Sequence, residues 1–436
     1  MIQTIDLRDL PSSRADLTKL IPRAQTDVSV AFATATALVD DVRARGEAAL
    51  LDQAERLDGV RPPAIRVHSQ EIARAIHALP TATRDALEEA IARVTVATRA
   101  QLPSGTVTQI ADGATIIQRW QPVSRVGFYV PGGKAVYPSS VVMNVVPAQV
   151  ASVSSVALAS PPQKQFDGAV HPTILGAAGL LGVDEVYAMG GAGAIGALAY
   201  GVPELSLDPV NVITGPGNVY VAAAKRLVRG VVGIDSEAGP TEILIIADAG
   251  ADPVLVVADL ISQAEHDELA AAVLVTDSVE LADAVRALLD EAVGRAHHAD
   301  RVREAIDGRQ SAIVLVADLP AAASFSNAYG PEHLEILTDE PGLVLDLVES
   351  AGAIFLGTYS PVSLGDYLAG SNHVLPTGGQ ARFAPGLGAY TFLRPQQVIS
   401  YTREALEVVE PAIVSLSTAE DLPAHGAAVS ARFFTG

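Results

Sequence analysis

The sequence contains no cysteine. That absence excludes disulfides, iron–sulfur ligation, thiolate zinc and a cysteine nucleophile. Aromatic residues make up only 5% of the chain, so its packing must rest on aliphatic side chains. Positive charge is scarce as well: 29 Lys and Arg stand against 50 Asp and Glu, a formal net charge of −21. This balance argues against nucleic acid or an anionic membrane as a partner, because counterion release needs clustered cations. A phosphate-bearing cofactor remains compatible, since local amides and one or two cations suffice to hold it. Long apolar runs are also missing. The stretch from Val141 to Leu158 is interrupted by Asn144, Pro147 and Gln149 and reads as buried strand and helix, not as a membrane span. The opening MIQTIDLRDLPSSRADLTKL has no continuous apolar core and is not a signal peptide, which predicts a cytoplasmic protein.

What is present is ample aliphatic material, 49% hydrophobic over 436 residues, enough for two or three domains. Residues 1–24 read as a small irregular arm. From Val28 apolar residues recur three and four apart, predicting helices through Ala100 with breaks near Gly46 and Pro80. These helices offer charged faces but no chemistry, and His68 and His77 read as surface histidines. Residues 104–130 alternate with period two around Asp112-Gly113, a hairpin signal. An aliphatic strand then runs into Pro131-Gly132-Gly133-Lys134, a tight turn able to bring backbone amides close to a ligand, or a plain structural turn.

From 141 to 235 strands alternate with helices, and two strands end in Gly190-Gly191-Ala192-Gly193 and Gly215-Pro216-Gly217-Asn218. Such junctions predict a parallel sheet whose ligands collect outside the carboxyl ends of its strands. The glycines either receive a pyrophosphate at helix N-termini or serve packing alone, because neither turn is a full GxGxxG fingerprint. A second α/β block begins near Thr241-Glu242, with strands at 243–247, 272–276, 311–316 and 353–356. His297 and His298 sit in a charged stretch and read as solvent-facing. The Gly- and Pro-rich segment 357–388 is longer than an ordinary connector, which favours a ligand-binding role.

Two constellations carry chemistry. Gln263 and His266 stand three apart on one helix face, with Asp366 and either His373 or His425 as further donors. That mixed nitrogen and oxygen set suits zinc, manganese or cobalt, and a polar helix end beside a capped loop accounts for it equally. In GPEHLEI, Glu332 and His333 place an acid beside an imidazole able to accept a proton near neutrality, although such dipeptides also occur by chance.

Taken together, RVGFYVPGG at 125–133, GPGN at 215–218, AGPTE at 238–242, LISQAEHD at 260–267, PEHLEI at 331–336, SPVSLGDYLAGSNHVLPTGG at 360–379 and AEDLPAH at 419–425 closely resemble the histidinol dehydrogenase family over nearly the full chain. The resemblance implies an α/β fold of two incomplete Rossmann-like domains, one inserted into the other, with small N- and C-terminal segments. Its boundaries would be an arm at 1–24, a discontinuous catalytic domain at 25–128 and 241–387, an inserted NAD-associated domain at 129–240, and a dimerisation segment at 388–436. It further implies a zinc-containing, NAD-dependent enzyme that oxidises L-histidinol through L-histidinal to L-histidine in histidine biosynthesis, with one zinc per active site. Carried over residue by residue, Glu332 and His333 form the acid–base pair, and Gln263, His266, Asp366 and His425 hold zinc. Those four, the acid–base pair, Thr241, His373 and Glu420 would surround the substrate. Tyr129, Gly193 and Asn218 match cofactor-contact positions. Gly193 departs from the family pattern, which commonly has glutamine there, and so removes a side-chain contact to NAD. The resemblance also implies a homodimer in which Glu420 and His425 complete the partner's site.

Overall fold

A computed structural model describes residues 2–9, 14–24, 28–132, 136–237 and 239–433. Gly133 and Lys134 of the Pro-Gly-Gly turn and Ala238 of the AGPTE stretch lie outside these residues. The chain is a mixed α/β fold built on two parallel sheets and one antiparallel sheet. It divides into two compact units, Met1–Gln101 with Ser124–Phe392, and Leu102–Val123 with Leu393–Gly436.

Strand β1 (Gln3–Asp6) opens the chain, and β2 (Thr106–Ala111) and β3 (Ala114–Pro122) form the hairpin around Asp112-Gly113. Next come β4 (Arg125–Tyr129), β5 (Ser155–Ser160), β6 (Val186–Ala188), β7 (Val212–Thr214) and β8 (Gly233–Ile234), a five-stranded parallel sheet in the order β6-β5-β4-β7-β8. Then β9 (Glu242–Ala247), β10 (Ala271–Thr276), β11 (Ala312–Leu315), β12 (His333–Leu337) and β13 (Ala353–Leu356) join β1 in a six-stranded parallel sheet, β1-β11-β10-β9-β12-β13. Strand β14 (Leu393–Tyr401) pairs antiparallel with β3 and completes the sheet of the second unit, which also holds the helices Arg403–Ala419 and Pro423–Ser430.

Sheets covered on both faces need strands that are apolar throughout. The central strand β9, Glu-Ile-Leu-Ile-Ile-Ala, is buried at every position, and its aliphatic side chains enter cores on the two faces of its sheet. In the five-stranded sheet the helix Gly191–Tyr200 has the same all-apolar character. It packs its small residues closely against the helix Val28–Arg45, where a β-carbon at Gly196 would stand 3.2 Å from the Val39 backbone. Among the described residues no helix is long and apolar enough to cross a membrane.

Three local expectations change. Residues 1–24 are not an irregular arm: β1 pairs with β11 in parallel, anchored by buried Ile2 and Leu7, and a helix spans Arg14–Leu20. The strand is too short to display a period in sequence. The charged interval 294–310 contains a helix, Ala299–Asp307, and the loop 357–388 contains another, Val362–Tyr367. His68, His77, His297 and His298 are all exposed, as their settings predicted.

Candidate active site

The acid–imidazole pair lies at the N-terminal edge of the six-stranded sheet. His333 is the first residue of β12, in register with Ile243 of β9, and Glu332 immediately precedes it. Because only His333 lies within the strand, the two side chains converge, with His333 Nδ1 3.6 Å from Glu332 Oε2. Both are buried. Glu332 Oε2 accepts from the Thr241 hydroxyl at 2.7 Å and from the Glu242 amide at 2.9 Å, while Gln263 Nε2 donates to Thr241 Oγ1 at 2.7 Å. This Gln263–Thr241–Glu332 relay saturates Oε2, and among the described residues Oε1 has no hydrogen-bond partner. Burial pushes the Glu332 carboxyl from 4.5 to about 7, against the pull of those hydrogen bonds.

His333 complements it. Its Nδ1 lies 3.1 Å from the Glu242 carbonyl, which can only accept, so Nδ1 carries the proton and Nε2 keeps a lone pair. Burial lowers its pKa, so the imidazole is neutral at pH 7. An uncharged base thus stands beside a carboxyl near its titration point.

The Glu332 shift has a cost for stability. A carboxyl raised from 4.5 in the unfolded chain to about 7 in the folded one binds more protons when folded. Stability is therefore fully present below about pH 4.5 and declines as pH rises through about 7. Glu332→Gln removes that titration while its amide oxygen still accepts from Thr241 and Glu242. The variant is expected to be more stable at pH 8 by about 2–3 kcal/mol. Denaturant unfolding at pH 5 and pH 8 checks this, because the gain must shrink to below about 1 kcal/mol at the lower pH.

The cavity faced by this pair has a volume of about 880 Å³, and His266, Asp366 and His373 also line it. His373 Nδ1 lies 2.8 Å from the Asp366 carbonyl and Nε2 lies 3.1 Å from Ser140 Oγ, so the ring donates to the backbone and accepts from the serine. Burial lowers its pKa too. Ser140 was not singled out as a functional residue by its sequence context, and only the fold brings it to His373.

The zinc expectation requires correction. Among the described residues no group of three or more His, Cys, Asp or Glu side chains is placed to hold a metal ion. Only His266 and Asp366 of the expected ligands share the cavity wall as ionisable donors. Gln263 is buried with its amide nitrogen bonded to Thr241, and His425 is exposed on the helix Pro423–Ser430 of the second unit. Zinc as cofactor, a zinc-containing enzyme and a zinc-anchored substrate are set aside with that cluster. Glu420 lies with His425 in the second unit, exposed at the end of the helix Arg403–Ala419.

The opposite wall comes from the carboxyl ends of the five-stranded sheet, where the glycine turns predicted a ligand. Gly190 and Gly191 open the helix Gly191–Tyr200, and Pro216, Gly217 and Asn218 lead into the helix Val219–Val228. Gly191, at a φ of 60°, has open space where a β-carbon would stand. Tyr129 closes β4, and its hydroxyl accepts from the Gly191 amide at 3.2 Å. Burial raises that hydroxyl to about 12, so it stays protonated and retains a proton to donate. Asn218 caps its helix, with Oδ1 accepting from Tyr220 and Val221 at 3.0 and 3.2 Å, which leaves Nδ2 for a ligand. Two helix N-termini and backbone without β-carbons fit a dinucleotide's phosphates and polar edges. Gly193 is buried one turn into the first of these helices, against Gln53.

Comparison with known proteins gives a consistent answer. The family model described as histidinol dehydrogenase matches residues 21–433. Histidinol dehydrogenase of Leifsonia xyli subsp. xyli is 67% identical over 432 residues, covering 99% of each chain. That of Nocardia farcinica is 56% identical over 432 residues, covering 98% of this chain and 97% of its own. The crystal structure of histidinol dehydrogenase from Elizabethkingia anophelis matches with a TM-score of 0.91 at 31% identity, covering 99% of this chain and 98% of that one. With its motifs, its sheets and its whole length in agreement, the chain belongs to the histidinol dehydrogenase family.

Proposed function

We propose that this protein is an NAD-dependent oxidoreductase that carries L-histidinol through L-histidinal to L-histidine in histidine biosynthesis. The observation that carries the reading is the buried Glu332–His333 pair facing, across one cavity, the glycine turns at the ends of a parallel sheet. Family membership supplies the substrate. NAD supplies a hydride acceptor, once for each oxidation.

His333 Nε2 takes the hydroxyl proton as the carbinol carbon loses hydride, giving the aldehyde. The chain has no cysteine to form a thiohemiacetal, so the second oxidation proceeds through the aldehyde hydrate. Glu332 takes a proton from the water that adds to the aldehyde while the His333 imidazolium returns its proton to the carbonyl oxygen. His333, neutral again, takes the hydrate's hydroxyl proton as the second hydride departs. Thr241 and Gln263 orient Glu332, while His266, Asp366 and His373 bind the substrate's amine and imidazole. Tyr129, Asn218 and the turn before Gly193 hold the dinucleotide.

Residues 25–128 with 241–387 form the catalytic domain of this reading and 129–240 its inserted dinucleotide domain, each an incomplete Rossmann-like unit. Residues 388–436 pair two copies, with Glu420 and His425 reaching the other copy's substrate. Support for a homodimer comes from large apolar side chains exposed on the second unit, among them Ile399, Val408 and Leu416. The net charge of −21 supports small-molecule partners in the cytoplasm over nucleic acid or membrane.

The deciding experiment supplies purified protein with L-histidinol and excess NAD. Two NADH per histidine formed is the expected stoichiometry. No turnover of histidinol beside rapid oxidation of a different alcohol overturns the assignment. A pH profile adds a second check. Water activation needs the Glu332 carboxylate, so oxidation of the aldehyde should fall as pH drops through about 7. Glu332→Gln should abolish that limb along with most of the aldehyde step.

A further inference from the structure

Gln53 closes the helix Glu47–Gln53, in a stretch whose sequence shows only charged faces. Its side chain is nevertheless buried, 5% exposed, and it lines the cavity beside Leu50, Ala54 and Asp58. The amide nitrogen is fully engaged: Nε2 donates to the Leu38 carbonyl at 3.1 Å and to Asp41 Oδ2 at 3.3 Å. Both protons being used, Gln53 has only its oxygen to offer, and among the described residues nothing donates to Oε1. The missing side chain at Gly193 explains how the amide fits. A β-carbon at 193 would collide with Gln53 Oε1 and stand 3.2 Å from its Cδ.

We infer that Gln53 is a dinucleotide-contact residue, and that Gly193 is glycine here because the Gln53 amide occupies the space a side chain would need. The inference rests on the NAD reading above and identifies which group of this chain meets the cofactor. An oxygen whose own nitrogen is committed selects a hydrogen-bond donor. Its ligand is therefore a ribose hydroxyl or an amino group, not a phosphate. Asp58, a second acceptor on the same wall, favours the same class of ligand group. Among the described residues the cavity lining contains no Lys or Arg to neutralise an additional phosphate.

The test is the NAD dissociation constant of the full-length protein, measured by calorimetry without histidinol, so that binding is read apart from turnover. Gln53→Ala should weaken binding about five- to tenfold, the loss of one net hydrogen bond. KM for histidinol should stay within twofold or so, since the change is to a cofactor contact. Gly193→Ala leaves both bonds of Nε2 in place while driving Oε1 from its position. It should weaken NAD binding to a similar extent, and it guards against Gln53→Ala failing to fold. Gly193→Gln placed in the Gln53→Ala background returns an amide to the vacated space and should recover most of the affinity. Unchanged NAD binding in both single variants overturns the inference while leaving the NAD reading intact. A wild-type protein that binds no NAD overturns that reading itself. Equal loss of NAD and histidinol binding would mark Gln53 as structural support and also overturn the inference.

Discussion

Replacing His333 by alanine is expected to lower turnover by about 10²–10⁴-fold, the range for loss of a positioned general base. The magnitude follows from how completely the ring's state is set. Burial keeps it neutral, and the Glu242 carbonyl holds the proton on Nδ1, so Nε2 is available before substrate arrives. Alanine removes that lone pair and one donor to the Glu242 carbonyl, a cost of about 1 kcal/mol that the fold should survive. Both half-reactions release a hydroxyl proton, so both should suffer when alcohol and aldehyde are supplied separately and NADH is followed. Glu332→Gln should differ, because its carboxylate acts on water: aldehyde oxidation should fall far more than alcohol oxidation. Equal losses in both half-reactions for Glu332→Gln would refute the division of labour. The double variant should be little worse than His333→Ala alone, since residues acting on one proton pathway are not additive.

Much of this was legible in the sequence because it is local. The run Ile-Leu-Ile-Ile-Ala at 243–247 reads as a strand, Asp112-Gly113 reads as a hairpin turn, and the glycine turns at 190–191 and 215–217 read as strand–helix junctions that the fold brings to the cavity. What failed depends on contacts distant in the chain. The five-stranded sheet turns the carboxyl ends of its strands to the cavity, where the rule for parallel sheets looks for a ligand. Glu332 and His333 sit at the opposite, N-terminal edge of the six-stranded one, which only the relative placement of two sheets can produce. The three-residue spacing of Gln263 and His266 suggested shared ligation, yet the Gln263 amide supports Thr241 and through it Glu332. Gln53 was invisible because a polar residue closing a charged helix normally faces water, and nothing near it in sequence announces Gly193. Strand β1 escaped because four residues, Gln-Thr-Ile-Asp, are too few to show a period, and the partner strand β11 is far away in sequence, with Gln3 paired to Ala312.

Lys225→Met is expected to destabilise the protein by about 3–5 kcal/mol, the cost of stranding one member of a buried ion pair. Lys225 is 1% exposed in the helix Val219–Val228 and forms an ion pair with Asp235, itself buried beyond β8. Together they hold one residue from both sides: Lys225 Nζ donates to the Gly215 carbonyl at 3.0 Å, and Asp235 Oδ2 accepts from the Gly215 amide at 2.8 Å. Gly215 has a φ of 116°, and a β-carbon there would collide with the Tyr129 carbonyl, so the turn approaches β4 as closely as backbone permits. Methionine fills the space of the lysine stem but leaves the Asp235 carboxylate uncompensated and the Gly215 carbonyl unbonded. Adding Asp235→Asn removes the stranded charge, and the double variant should regain much of the lost stability in denaturant unfolding. Cofactor binding should not recover with it. Asparagine can still accept from the Gly215 amide, but the carbonyl stays loose, and the turn that presents Pro216, Gly217 and Asn218 to the cavity is held from one side only. A double variant as unstable as Lys225→Met would show that charge burial is not the main cost. A double variant that binds NAD as tightly as the wild type would show that the ion pair serves stability alone, with no part in shaping this wall of the cavity.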